Sequence, residues 1–242
     1  MSEKQSRRYA IKTTAAASLG VVSGAFAVPR GKRKLNISGK DFIREENSKK
    51  GTRDWRLSNT KTIPGKINKI LDNGRSKAIE GYCNANSLRA GEKLKIMVSA
   101  NPSSNFKFEI FRTGYYGGTG ARLMKSFDSL KAGAQPDPPV GENYVRECQW
   151  EPTVELEIPN TWPSGVYLGK MTAERSGIQS YVIFIVRDDR PCDFLFQCSD
   201  LTWSAYNRWP MDYSIYTEHE NWTSIGVPSG TVSFDRPYGL FT

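Results

Sequence analysis

Between residues 93 and 187 the chain alternates apolar and polar positions with a period of two. KLKIMVS sets Leu94, Ile96 and Val98 against Lys93, Lys95 and Met97. FKFEIFR sets Phe106, Phe108 and Ile110 against Lys107, Glu109 and Phe111, and TVELEI sets Val154, Leu156 and Ile158 against Glu155 and Glu157. That period marks half-buried strands, because successive side chains of a strand point to opposite faces. GVYLGKMT at 165–172 adds another, and SYVIFIVR at 180–187 is apolar on both faces, as in a strand covered on both sides. The turn-rich breaks ANPSSN, TGYYGGTG, AQPDPPVGEN and PNTWPSG separate them. Short strands so punctuated, without helical periodicity, predict a mainly β protein built on an antiparallel β-sandwich over residues 51–189. Residues 28–50 are basic and polar, show no periodicity, and read as a linker.

The pattern changes after DDRP at 188–191. DFLFQCSD reads as a short apolar strand, and LTWSAYNRWP follows with two tryptophans, a tyrosine and an asparagine. The segment 190–242 is short for an independent domain, so the expectation is the beginning of an α/β domain cut short at Thr242.

Composition narrows the function classes. Hydrophobic residues make up 38% of the 242 and aromatics 12%, enough to build a core and exclude wholesale disorder. No apolar run reaches the length of a membrane span, so the chain is not expected to be transmembrane. Its amino terminus has a basic head with Arg7 and Arg8 paired, an uncharged stretch from Thr13 to Phe26, and an A-x-A site at Ala25 and Ala27. Ser6 to Lys12 resembles a twin-arginine export signal, departing from it at Ala10, so residues 1–27 are expected to direct export to the periplasm or beyond.

The net charge of +9 is unevenly placed. Residues 28–78 hold 15 Lys or Arg against 5 Asp or Glu, while 79–242 are net negative. A nucleic-acid surface needs its basic residues on the folded face, and none is expected here. Cys83, Cys148, Cys192 and Cys198 lack metal-site spacing; they are expected as small buried hydrophobes, with export permitting one disulfide.

Candidate chemistry is sparse. TGYYGGTGARL lacks the phosphate-loop spacing and joins strand to strand, so it reads as a hairpin with glycines at positive φ. His219, the only histidine, sits between Glu218 and Glu220 in a sequence typical of a solvated loop. A nucleophile–histidine pair could be built only on His219, which the loop reading disfavours; paired-histidine metal sites are excluded, and a metal would need oxygen ligands. Tyr206, Tyr213, Tyr216 and Tyr238 crowd the last forty residues. Phenolates suit a hard ferric ion; the other reading is aromatic packing at a domain junction.

The motifs IEGYC, FKFEIFRTGYYGGTGARLM, RECQWEP, WPSGVYLGKMT, QSYVIFIVRDDRP, LFQCSDLTWSAYNRWP and VSFDRPYG resemble the large subunit of N,N-dimethylformamidase and its exported bacterial relatives. The resemblance implies an immunoglobulin-like sandwich followed by an α/β domain resembling glutamine amidotransferases. It implies hydrolysis of the C–N bond of a small formamide at a mononuclear iron held by two tyrosines and a glutamate. Matched by motif, the tyrosines are Tyr206 and Tyr238. The glutamate's position falls beyond Thr242, and Glu218 and Glu220 do not match it. Trp203, Asn207 and Trp209 would line the substrate pocket, or else form a junction core. A small amide is the implied substrate, and a small second subunit or a homo-oligomer the implied assembly. The competing reading is an exported sandwich that binds a wall polymer or partner protein without catalysis.

Overall fold

The computed structural model describes residues 41–60, 75–210 and 231–239. In chain order its elements are helix α1 (Phe42–Ser48), strands β1 (Glu80–Cys83), β2 (Ser87–Leu88), β3 (Lys93–Ser99), β4 (Ser104–Thr113), β5 (Ala121–Ala132), β6 (Pro152–Glu157), β7 (Gly165–Ala173) and β8 (Gln179–Val186), and helix α2 (Asp200–Tyr206). The fold is mainly β, as the alternating pattern predicts. One sheet has the order β1-β3-β6 and the other β2-β8-β7-β4-β5. Pairing is antiparallel except between β2 and β8, which run parallel for two residues.

The two sheets share one core. Leu94, Ile96 and Val98 of β3, with Val154 and Leu156 of β6, meet Phe106, Phe108 and Ile110 of β4, Tyr167 and Met171 of β7, and Val182 and Phe184 of β8. These are the apolar sets that the two-residue period places on one face. The hairpin expected at TGYYGGTG joins β4 to β5, with positive φ at Tyr116, Gly117, Gly118 and Gly120.

The outer face of the larger sheet is covered by a segment that the sequence pattern does not announce. Residues 52–59 cross it: Thr52 N–H donates to Ala121 O at 2.8 Å, the Trp55 indole N–H to Thr119 O at 3.0 Å, and Tyr181 Oη to Trp55 O. This cover explains why Phe111, on the face opposite the core series, is fully buried. It also agrees with the two-sided apolar character of β8.

Two expectations are corrected. Helix α1 lies inside the stretch read as linker, and its buried residue is Glu46 rather than an apolar side chain, so no hydrophobic period marks it. DFLFQCSD forms no strand. Its backbone finds no sheet partner among the described residues, and Phe194, Leu195 and Phe196 are 91%, 89% and 81% exposed. Asp200, its last residue, instead begins α2.

Candidate functional site

The segment 200–209 packs beside neighbouring edges of the two sheets. There the Ser180 hydroxyl of β8 donates to Ile79 O, next to β1, at 2.9 Å. At the start of α2, Asp200 accepts a hydrogen bond from Asn86 Nδ2 at 3.2 Å. At the far end of the segment, Trp209 is fully buried and its indole N–H donates to Glu80 Oε2 of β1 at 2.8 Å. The Arg75 guanidinium lies over the Trp209 ring, 4.8 Å from its centre, while pairing with Glu80 and forking onto Asp137 at 2.8 and 2.9 Å. Trp150 meets Trp209 edge to face, and Tyr82, Met97 and Cys148 complete a small apolar cluster there.

Residues 233–239 close against this segment. Arg236, 2% exposed, donates to the carbonyls of Ser204, Asn207, Trp209 and Ser233 at 2.7–3.1 Å. Burial lowers its pKa to about 10, which still leaves it charged at neutral pH. Cys148 N–H donates to Asp235 O at 2.7 Å and so ties the segment to the sandwich.

Asn207 is the hinge pin of the arrangement. Its Oδ1 accepts from Trp209 N–H at 3.1 Å and Gly239 N–H at 2.9 Å, and its Nδ2 donates to Pro237 O at 2.8 Å. The amide therefore grips the backbone on both sides of Tyr238 while following Tyr206 directly in sequence. One buried side chain brings the backbones of the two tyrosines together.

The two phenols differ in setting. Tyr206 is 56% exposed at the end of α2. Tyr238 lines a cavity of about 10 Å³ with Asn86, Ile183, Phe184, Ile185, Asp200 and Trp203, room for a single water. Burial, then the negative charge of Asp200, pushes the Tyr238 phenol up to about 12. At neutral pH it is a neutral hydroxyl whose proton must leave before the oxygen can act as a phenolate donor.

Of the residues singled out by sequence, Asn207 ties the backbone on either side of Tyr238 to the residue that follows Tyr206, Trp203 and Tyr238 line the small cavity, and Tyr206 is not among the residues that line it. The side chains of Asn207 and Trp209 are spent on protein partners. Glu80, Arg75, Asp200 and Arg236 were not singled out. Glu80 and Arg236 carry a weak sequence signal, a charged residue beside apolar or aromatic neighbours as in IEGYC and FDRPYG; Arg75, in NGRSKA, carries none. Arg7, Arg8, Ala25, Ala27, Tyr213, Tyr216, Glu218, His219 and Glu220 lie outside the described residues. Among the described residues no group of three or more His, Cys, Asp or Glu is placed to hold a metal ion. All four cysteines are free thiols, three buried and Cys192 exposed, so none forms a disulfide.

The fold and this junction define a β-sandwich that carries a tyrosine-bearing segment on its edge. The model of the family described as N,N-dimethylformamidase beta subunit-like, C-terminal, matches residues 107–241, and the chain belongs to that family. No curated protein matches. Among solved structures, a superoxide reductase (neelaredoxin) from Ignicoccus hospitalis is similar at 13% identity, over 48% of this chain and 90% of that one, with a TM-score of 0.27. A likeness so slight carries no argument.

Proposed function

We propose that this dimethylformamidase-like chain is exported and takes part in hydrolysing the C–N bond of a small formamide, with Tyr206 and Tyr238 as two ligands of a mononuclear iron. The observation that carries the reading is the Asn207 grip, which holds the backbone around Tyr238 beside the end of α2, where Tyr206 stands. Two oxygen donors of this kind fit a hard ferric ion. A carboxylate ligand would come from sequence following Thr242. When bound, such an ion polarises a carbonyl and lowers the pKa of a coordinated water.

The chain's own residues hold and shield the pair. Asn207 and Arg236 fix the two backbone segments. Asp200 lines the cavity beside Tyr238, and its negative charge favours the neutral phenol there, so a bound cation would have to offset that charge. Trp203, Ile183 and Ile185 narrow the cavity beside Tyr238 to the size of a single water.

The competing reading, a free-standing sandwich module, requires residues 51–189 to stand alone. The bonds from Trp209 to Glu80, Cys148 to Asp235 and Asn86 to Asp200 favour one integrated body. Expression of the gene with whatever coding sequence follows Thr242, then assay of amine release from N,N-dimethylformamide, tests the proposal. Activity lost in Tyr206→Phe and Tyr238→Phe supports it. Absence of activity in an iron-loaded product, or activity indifferent to both substitutions, overturns it. The amino-terminal residue of the secreted product tests export: a start at residue 28 is expected.

A further inference from the structure

Arg112 of β4 and Arg122 of β5 stand directly opposite each other in the sheet register. Two like charges facing across a strand pair destabilise it unless an anion lies between them. Here the anion arrives from far away in sequence. Glu46 of α1, 3% exposed, accepts at Oε1 from Arg122 Nε at 2.7 Å, Arg122 Nη2 at 2.6 Å and the Tyr116 hydroxyl at 2.9 Å. Arg112 Nη1 donates to that same hydroxyl at 2.8 Å, so its charge reaches Glu46 through Tyr116. Lys49 completes the set at Oε2, 2.6 Å away.

The donors other than Lys49 belong to the sandwich rather than to α1. The glycine-rich turn supplies the backbone geometry, with Tyr116 at φ 41° followed by Gly117 and Gly118 at 63° and 83°, which places the Tyr116 ring beneath Arg112. The other acceptors of Arg112 are the neutral carbonyls of Ser164 and Thr113. Take Glu46 away and the Arg122 guanidinium and the Tyr116 phenol, itself backed by Arg112, face a space shaped around a carboxylate.

We propose that this end of the sandwich is a binding socket for a small monocarboxylate, with Glu46 as its built-in ligand and α1 as the strap that the socket fastens. Two guanidinium N–H groups and a hydroxyl converge on one oxygen while an ammonium meets the other, so the donors span both oxygens of a carboxylate, which a spherical halide does not offer.

The test is made on the full chain carrying Glu46→Ala, with thermal unfolding followed in sodium acetate, sodium formate and sodium chloride at matched ionic strength. Loss of the buried anion is expected to lower the midpoint by roughly 5–15 °C in chloride. Acetate and formate are expected to restore several degrees in a saturable way. They should leave the unsubstituted chain unmoved, because its socket is filled. The double variant Glu46→Ala with Arg122→Ala should lose the response. If Glu46→Ala does not fold in chloride, refolding in acetate replaces the melt, and recovery in acetate but not chloride supports the socket. Equal shifts in the unsubstituted chain, an unshifted midpoint on removing Glu46, or no difference between acetate and chloride would overturn it.

Discussion

The Trp209 indole N–H donates to the Glu80 carboxylate at 2.8 Å, across 129 residues of chain, and both side chains are buried. This contact joins the tyrosine-bearing segment to the first strand of the sandwich. Glu80 also holds Arg75, so one carboxylate satisfies an indole and a guanidinium that water does not reach. Replacing Glu80 by Ala strands the Trp209 indole N–H and leaves Arg75 only the Asp137 carboxylate, and should cost ~2–4 kcal/mol in denaturant unfolding. Glu80→Gln, which keeps an acceptor but loses the charge, should cost less. Equal costs for the two would mean that the charge contributes nothing.

Asn207 makes three side-chain hydrogen bonds at 1% exposure. Asn207→Ala should destabilise by about 2–4 kcal/mol, since it leaves buried backbone groups unpaired. Asn207→Asp still accepts from Trp209 and Gly239 but cannot donate to Pro237 O, and should retain part of the stability. Urea unfolding of the two variants against the parent chain checks the order.

Glu46 gives the chain an acid limb. Burial alone raises its pKa, but hydrogen bonds from Lys49, Arg122 and Tyr116 outweigh that and hold it below the ordinary 4.5. The folded state thus binds the proton more weakly than the unfolded chain does. The stabilisation is complete above pH 4.5 and is lost as pH falls through the lower folded value. The stability gap between the parent chain and Glu46→Gln should therefore narrow below pH 4.5, measured by unfolding at a series of pH values.

The thiols should divide one against three. Cys192 is exposed, while Cys83 is pushed up to about 12 by burial, Cys148 is raised by burial and then by Glu80, and Cys198 is raised by burial and then by Asp200. Thiolate is the reactive form. Iodoacetamide at neutral pH should label Cys192 alone in the native chain and all four in denaturant, as read by mass spectrometry.

The strands were legible where burial is one-sided. Leu94, Ile96 and Val98, or Val154 and Leu156, carry a period of two because one face meets the core. Helix α1 was not, since what it buries is a glutamate paired with distant arginines, and local sequence cannot display a partner 76 residues away. DFLFQCSD failed for the opposite reason. Its composition suits a strand, but a strand needs a paired neighbour, and the segment pairs with no sheet edge among the described residues. At the site, aromatic density marked the right segment. It did not distinguish Trp209, consumed by Glu80, from Trp203, which lines the cavity, because that depends on which strand edge each meets.

The most direct test is an iron titration of the purified gene product, including any sequence encoded past Thr242, followed by visible absorption. One ferric ion per chain is expected, with a phenolate-to-iron charge-transfer band shifted in Tyr206→Phe and in Tyr238→Phe. Iron bound without such a band, or a band untouched by both substitutions, would contradict the two-tyrosine site.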